Sequence, residues 1–355
     1  MNIVITGTGS YLPGTIITNQ HFDDSFFYDT AGLPLAHSQT TVVEKFKSIT
    51  GIQERRYASP AQNMSDLAAM AAKKALENSG VDAEQIDAII LAHNFGNVES
   101  GSPLIDIMPC IATRVKHLLK IENPNCVAFD ILFGCPGWVQ ALILARQYLI
   151  AENAKRILVV GGETLSRVID PHDRDSMIYA DGAGAVVLER NDEPAKNGIL
   201  ATCAQTHSFD QAYFLYYDVS NKKEPVEKAK YLKMDGKKIY EFALNHVPLA
   251  MKECLEKSGT DIRQLKKIFL HQANEKMDDA ILKRFYKLYD ISPPPEHVMP
   301  MNIGMYGNSS VASIPVLLDE VLNNKYPEHT LLPGDVILLA SVGAGMSINA
   351  VTYKI

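Results

Sequence analysis

A chain of 355 residues with 46% hydrophobic and 21% charged residues has the balance of a globular protein that can bury a large core, which excludes disordered, collagen-like and disulfide-scaffold classes. At roughly 100–200 residues per domain, the length predicts two domains or two fused halves. With 34 Lys and Arg against 41 Asp and Glu, the formal net charge is −7, a field that repels a phosphate backbone and excludes nucleic acid as a first-choice partner.

The chain opens on Ile3-Val4-Ile5 with no basic stretch before it, and no apolar run approaches the ~18 residues of a membrane span, so a soluble, cytoplasmic protein is expected. Short β-branched runs then alternate with helical spacing: strands near Ile3–Thr6, Ala88–Ala92, Cys126–Asp130, Arg156–Val160 and Ala183–Glu189, with helices over Ser65–Ser79, Met108–Leu119 and Val139–Ala151. After the charged stretch Asn191–Asn197 the pattern restarts, with strands at Ile199–Ala204, Lys267–His271 and Val336–Ala340 and helices over Lys237–Ser258, Lys276–Tyr289 and Ala312–Asn323. The boundary falls near 195, giving halves 1–195 and 196–355 of an α/β protein whose sheets are covered on both faces. Each half has a strand, a sharp glycine turn and a helix, at Gly134-Cys135-Pro136-Gly137 and Gly307-Asn308-Ser309-Ser310. Each then has a Gly-rich hairpin, at Asp181-Gly182-Ala183-Gly184-Ala185 and Ser341-Val342-Gly343-Ala344-Gly345, which predicts a duplicated core. The segments Phe95–Ile107 and Thr206–Tyr231 read as irregular, and the charge run Lys222–Lys230 as a solvated helix face.

Five cysteines, Cys110, Cys126, Cys135, Cys203 and Cys254, are odd in number and lack any C-x-x-C, which suggests neither a disulfide framework nor a zinc site. Four read as core packing. Cys135 differs, because it lies between an apolar strand and a helix, where unpaired N–H groups and the positive end of the helix dipole stabilise a thiolate; the position predicts a thiol pKa lowered toward 7. Pro136 suits the first helical turn, where its missing N–H costs nothing. His271-Gln272-Ala273-Asn274 ends a strand and faces a cleft, and Asn302–Ser310 is a glycine-containing turn whose plain reading is helix capping.

Taken together, these pieces resemble the thiolase-like condensing enzymes, and among them β-ketoacyl-(acyl carrier protein) synthase III. The resemblance runs nearly end to end, through Thr6–Pro13, Thr50-Gly51-Ile52, Glu54-Arg55-Arg56, Phe129-Asp130 before Gly134-Cys135-Pro136-Gly137-Trp138, Asp170–Arg174, Asp181–Ala185, His271–Asn274 and Tyr306–Pro315. It implies a duplicated five-layered αβαβα thiolase fold, usually a homodimer, and the catalytic set Cys135, His271 and Asn308. By that likeness Cys135 takes an acyl group from a thioester. His271 and Asn308 donate hydrogen bonds to malonyl-carrier protein as it loses CO2, and the backbone N–H groups of Cys135 and Ala344 form the oxyanion hole. The expected partner is acyl carrier protein, docked by Lys276, Lys283 and Arg284, with acyl-CoA a further donor. No metal and no cofactor beyond the phosphopantetheine thioester is implied.

This chain departs from the family pattern in three places. Lys45 and Ile49 stand where relatives priming with acetyl-CoA carry Trp and Arg for the adenine. Ile131-Leu132-Phe133-Gly134 replaces a row of small residues before the nucleophile, and Phe95–Ile107 is longer than usual. An altered acyl pocket shaped by Met108, Phe133, Trp138 and the Thr206–Tyr217 segment is expected. These changes point to a specialised enzyme taking carrier-bound acyl groups, as in aryl-polyene or dialkylresorcinol-type pathways. A degradative thiolase would need a cysteine after Cys254, and none follows. A head-to-head Claisen enzyme would need a carboxylate such as Glu99 near the cysteine. A non-catalytic carrier-binding subunit would have lost the nucleophile, and a cysteine hydrolase does not suit the duplicated halves.

Overall fold

The computed structural model describes residues 2–102, 104–192, 197–224 and 229–355. Its first sheet runs in the order Asn2–Tyr11, Asp181–Asn191, Arg156–Thr164, Ala88–His93 and Val127–Leu132, with the first three strands antiparallel and the last two added in parallel. A second sheet runs Gly198–Thr206, Ser347–Lys354, Val336–Gly343 and Leu265–Leu270, again two antiparallel pairings followed by a parallel one. The repeated pairing order is the duplication that the two glycine turns foreshadow.

Alternation along the strands explains the layers, since successive side chains point to opposite faces. Ile89, Leu91, Leu158 and Val160 pack under the helices Met64–Ser79 and Ile111–Leu118. From the other face Ile90, Ala92, Ile157 and Val159 meet the helices Gly137–Ile150 and Ser313–Leu322, whose far sides rest on Phe269, Ile337, Leu339 and Val351 of the second sheet. The outer face of that sheet, with Ile268, Leu270, Leu338 and Ala340, is closed by Gly236–Lys257 and Glu275–Lys287. The chain therefore has five layers, helix, sheet, helix, sheet, helix. Nine of the ten residues of Ser313–Leu322 are buried, from Ser313 to Val321, as expected for a helix apolar all round and held between two sheets. Its one deep acid beside the first sheet, Asp319, is satisfied by the hydroxyls of Thr8 and Ser10, each donating at 2.6 Å.

Several motif residues outside the cysteine turn support this frame. Arg55, fully buried, donates to the carbonyl of Met177 at 3.1 and 2.8 Å and to that of Ile17 at 3.1 Å. Asp170 accepts from Ser220 Oγ, Asn221 N and Lys233 Nζ, which ties the hairpin Leu215–Val219 and Lys230–Met234 to the first half. Its first strand lies within the segment expected to be irregular, and its second begins at the end of that segment. In the charge run, residues 225–228 lie outside the described residues, and Lys222 and Lys223 are not helical.

Two expectations about local structure need correction. Asp181–Ala185 is no hairpin but the start of a strand paired on both sides. Its Gly184 is required by close packing, since a Cβ there would sit 2.7 Å from Pro315 Cβ of the central helix. The helix expected over Met108–Leu119 begins only at Ile111, because the Asp130 carboxylate accepts the N–H groups of Ile111 and Ala112, both at 2.7 Å, and fixes the start of the helix there. The boundary drawn between 195 and 196 lies outside the described residues; the first sheet's strands end at Asn191 and the second's begin at Gly198. Among the described residues no helix is long and apolar enough to cross a membrane.

Candidate active site

The strand Val127–Leu132 leads through Phe133 and Gly134 to Cys135, and the helix Gly137–Ile150 starts two residues later, with Gly137 N donating to Gly134 O at 2.7 Å. Against this turn lies the hairpin that joins Val336–Gly343 to Ser347–Lys354. A Cβ on Gly343 would meet Cys135 N at 2.6 Å, and one on Gly134 would meet Ala344 N at 2.7 Å. Two glycines thus bring the N–H groups of Cys135 and Ala344 into one backbone contact. Replacing Gly343 by Ala must displace one turn from the other, at the 1–3 kcal/mol typical of overpacking. A lowered Tm together with a disproportionate fall in the reactivity of Cys135 toward thiol reagents is the expected result, checked by thermal melts alongside alkylation at that residue.

Beside this contact is a cavity of about 330 Å³ lined by Asn94, Leu132, Phe133, Gly134, Ala344, Gly345 and Ser347. Phe133, expected at the acyl pocket, lines this cavity. Met108, expected there too, does not line it: it is 87% exposed, in the segment of exposed apolar residues Leu104, Ile105 and Ile107. Trp138 is 1% exposed and packs in the core between the sheets, its helix having turned it away from the cavity. Glu99, the loosely considered acid, is exposed as well.

His271 follows the strand Leu265–Leu270 and donates its N–H to Ala340 O at 2.9 Å. Its Nδ1 lies 2.7 Å from Ser313 Oγ, which also takes the Gln272 N–H at 3.4 Å. With one lone pair of that oxygen taken by the backbone N–H, the hydroxyl can donate its proton to Nδ1, the arrangement that puts the imidazole hydrogen on Nε2. Asn308 belongs to the segment that opens the same helix. Its Oδ1 accepts the Ser310 N–H at 2.7 Å, so its Nδ2 is the free donor. The Asn308 backbone is clamped by Ile178 O and Ala180 N, each at 2.9 Å. Ser310 has φ 52°, a left-handed conformation that costs a serine about 1–3 kcal/mol and clusters at working sites. Its hydroxyl donates to Cys135 Sγ at 3.3 Å.

The electrostatics correct one expectation. The Cys135 thiol is not lowered: burial pushes it up to about 11, the Ser310 hydroxyl pulls it back in part, and the charge of Glu163 adds to the rise. Loss of water around the sulfur outweighs the pull of the helix end. Burial also drives His271 down to about 3, which keeps the imidazole neutral, and raises Glu163 to about 8. Glu163, 2% exposed, accepts from Asn94 N at 2.9 Å and Asn94 Nδ2 at 2.5 Å. Among the described residues no group of three His, Cys, Asp or Glu could hold a metal ion.

Lys276, Lys283 and Arg284 lie exposed on the helix Glu275–Lys287. Lys283 is paired with Asp279 at 2.5 Å and Arg284 is tethered to Asn245 Oδ1 at 2.7 Å. Lys45 Nζ lies 3.1 Å from His37 Nε2, and Ile49 is 49% exposed. Sequence reasoning missed four residues of the site: Ser310, Ser313, Asn94 and Glu163. The first two sit within a motif it had singled out, and the other two are polar groups that end apolar strands.

Residues 129–208 match the family described as 3-oxoacyl-[acyl-carrier-protein (ACP)] synthase III, and residues 255–355 match its C-terminal counterpart. The β-ketoacyl-[acyl-carrier-protein] synthase III of Porphyra purpurea is 33% identical, across 100% of this chain and 99% of its own length. The crystallised synthase III of Thermus thermophilus superposes with a TM-score of 0.81 at 30% identity, covering 99% of this chain and 98% of that one. The priming β-ketosynthase of the R1128 polyketide biosynthetic pathway gives a TM-score of 0.80 at 25% identity, covering 100% and 96%.

Proposed function

This chain belongs to the β-ketoacyl-[acyl-carrier-protein] synthase III family, with the thiolase-type fold, and from that premise we propose that it is an acyltransferase performing a decarboxylative Claisen condensation between an enzyme-bound acyl group and malonyl-carrier protein. The observation that carries this reading is the junction at Ser313. One hydroxyl holds His271, five residues after Asn308 and three after Ser310, whose own hydroxyl reaches Cys135 Sγ.

In the first half-reaction Cys135 sulfur attacks the thioester carbonyl, the bond to the phosphopantetheine sulfur breaks, and the thiol proton ends on that leaving sulfur. The N–H groups of Cys135 and Ala344 would stabilise the oxyanion. Malonyl-carrier protein then enters, and the Nε2–H of His271 and the Nδ2–H of Asn308 would donate to its thioester oxygen as the C–CO2 bond breaks and an enolate forms. The enolate carbon attacks the acyl-Cys135 carbonyl, the C–S bond breaks, and the cysteine sulfur is released as thiolate. A neutral histidine suits this task, because it stabilises developing charge as a donor without having to lose a proton.

The reading extends to acyl carrier protein as partner, docked at Lys276, Lys283 and Arg284, of which Lys283 is ion-paired with Asp279 and Arg284 is held by the neutral Asn245. It includes acyl-CoA as a possible donor, a cytoplasmic location and the halves 1–195 and 196–355. It also includes a homodimer, supported by the open edge strand Val127–Leu132, with Val127 59% and Leu132 69% exposed. A specialised variant, of the aryl-polyene or dialkylresorcinol type and fed by carrier-bound acyl groups, is favoured by the bulky Phe133 and Leu132 among the residues that line the cavity. It is favoured too by Lys45 and Ile49 at the positions expected to grip adenine. The test is to offer short and long acyl-CoAs and acyl-carrier proteins, read acylation at Cys135 by mass, and then add malonyl-carrier protein. A short acyl-CoA adduct that discharges to a β-ketoacyl product supports an initiating enzyme, and adducts from carrier-bound donors alone support the specialised one. No adduct from any donor defeats both and leaves a non-catalytic carrier-binding subunit.

A further inference from the structure

We propose that Ser310 is a catalytic residue that stabilises the Cys135 thiolate through its hydroxyl proton, and that Asn94, oriented by buried Glu163, is the positioning residue that commits that proton to sulfur. The proposal rests on Cys135 being the nucleophile. Its basis is a continuous chain of hydrogen bonds from strand to strand across the site. Glu163 accepts both the backbone and the side-chain N–H of Asn94. A second hydrogen of the same Nδ2 goes to Ser310 Oγ at 2.9 Å, and Ser310 Oγ donates to Cys135 Sγ at 3.3 Å.

The direction of each bond follows from the donor inventory. Above about pH 8, where Glu163 is ionised and in the range where the Cys135 thiol titrates, its carboxylate accepts only, so Asn94 turns its NH2 toward it and not its carbonyl. That NH2 then has one hydrogen left, which occupies a lone pair of Ser310 Oγ. A hydroxyl has one proton, and with its oxygen engaged on the Asn94 side it is free to lie along the line to sulfur. The backbone of Ser310 is locked as well, by Asn308 Oδ1 on its N–H. The His93 ring braces the other end: Nε2 lies 3.0 Å from Asp130 Oδ2 and Nδ1 accepts Gly96 N–H at 2.9 Å, which holds the loop carrying Asn94.

This chain is not a proton wire. An amide between carboxylate and hydroxyl offers only donors to both, so no proton passes from sulfur to Glu163, and the carboxylate works through geometry. The need for a thiolate donor is evident, because burial opposes the anion and His271 is neutral and hydrogen-bonded elsewhere. The titratable groups around the sulfur are Glu163, whose charge disfavours the thiolate, and Tyr179, whose phenol is raised by burial first and then by the sulfur itself. Asp181 adds to the field on Glu163. Thiolate arises twice per turnover, before acylation and when the C–S bond breaks during condensation, and a hydrogen bond to an ionised sulfur is stronger than one to a thiol.

The experiment follows alkylation of Cys135 by iodoacetamide against pH on the full chain, read at that residue by peptide mass. Ser310→Ala is expected to raise the pH midpoint by about one pH unit or more. Below the midpoint the alkylation rate falls only about threefold, since the scarcer thiolate is also more nucleophilic. Asn94→Ala should move the midpoint the same way, and the double variant no further than Ser310→Ala alone. Glu163→Gln keeps an acceptor for Asn94 while removing a negative charge, so its midpoint should fall. A purely structural defect would not produce shifts of opposite sign from two members of one chain. A Ser310→Ala midpoint equal to that of the wild type overturns the proposal. If that variant does not fold, an unchanged Asn94→Ala midpoint does the same. Variants that show these shifts, together with a wild-type protein that transfers no acyl group, would remove the enzymatic reading and leave the hydrogen-bond chain standing.

Discussion

Cys135→Ala is expected to abolish acyl-enzyme formation and condensation while leaving malonyl decarboxylation running. Loss of the nucleophile in comparable covalent enzymes costs on the order of 10⁶ in turnover, and no other cysteine can substitute. Cys126, Cys203 and Cys254 are buried, Cys110 bonds to Thr113 Oγ1 and Ala128 O, and none lies at the glycine contact where Cys135 meets the Gly343–Ala344 turn. The decarboxylating pair does not depend on sulfur, since His271 is held by Ser313 and Ala340 and Asn308 by Ile178 and Ala180. The variant should therefore convert malonyl-carrier protein to acetyl-carrier protein and CO2, with the enolate taking a proton from water. The fold should lose only the hydrogen bond from Ser310, about 1 kcal/mol. Intact mass, product analysis and a thermal melt check all three parts. Decarboxylation that disappears with the sulfur would contradict the division of labour derived above.

The complementary result comes from Asn308→Asp. Aspartate retains the side-chain oxygen that takes the Ser310 N–H and the backbone bonds to Ile178 and Ala180, so the turn keeps its shape. It loses the one free N–H donor and sets a negative charge where an enolate must form. Acylation of Cys135 should persist, and decarboxylation should fall by roughly 10²–10³-fold, the usual cost of one such donor. His271→Ala should behave alike. Because the imidazole is neutral down to about pH 3, the wild-type decarboxylation rate should show no histidine-like break near pH 6.5, the ordinary value. A break there, removed by His271→Ala, would mean the imidazole exchanges a proton during the step.

The layered fold was legible because its strands are short apolar runs and its outer helices carry stripes, as in Leu67, Ala68 and Ala71 against Leu158 and Val160. Cys135, His271 and Asn308 were legible as motifs, each at a strand end or glycine turn. What escaped was decided by tertiary partners. The start of the helix at Ile111 depends on Asp130, eighteen or nineteen residues away in sequence, and no local spacing records that. The helix Gln39–Thr50 did carry a signal, with Val42, Val43, Phe46 and Thr50 on one buried face, hidden among polar residues. The thiol was misjudged because helix position can be read from sequence, whereas the withdrawal of water from sulfur needs the opposing half. Asn94 and Glu163 are two more such cases, for their function lies in a geometry spanning four separate segments.

The strand Ser347–Lys354 is last in chain order yet lies inside the second sheet, between Gly198–Thr206 and Val336–Gly343. While the chain is being made, that sheet is split into two unpaired edges until those residues emerge, and edges of this kind recruit foreign strands. The hairpin they complete is also the one that seats Ala344 against the cysteine turn. The cysteine turn therefore gains its backbone neighbour only once this hairpin has closed the second sheet, so on the reading proposed above a chain interrupted before Ser347–Lys354 would carry the cysteine without the oxyanion donor assigned to Ala344.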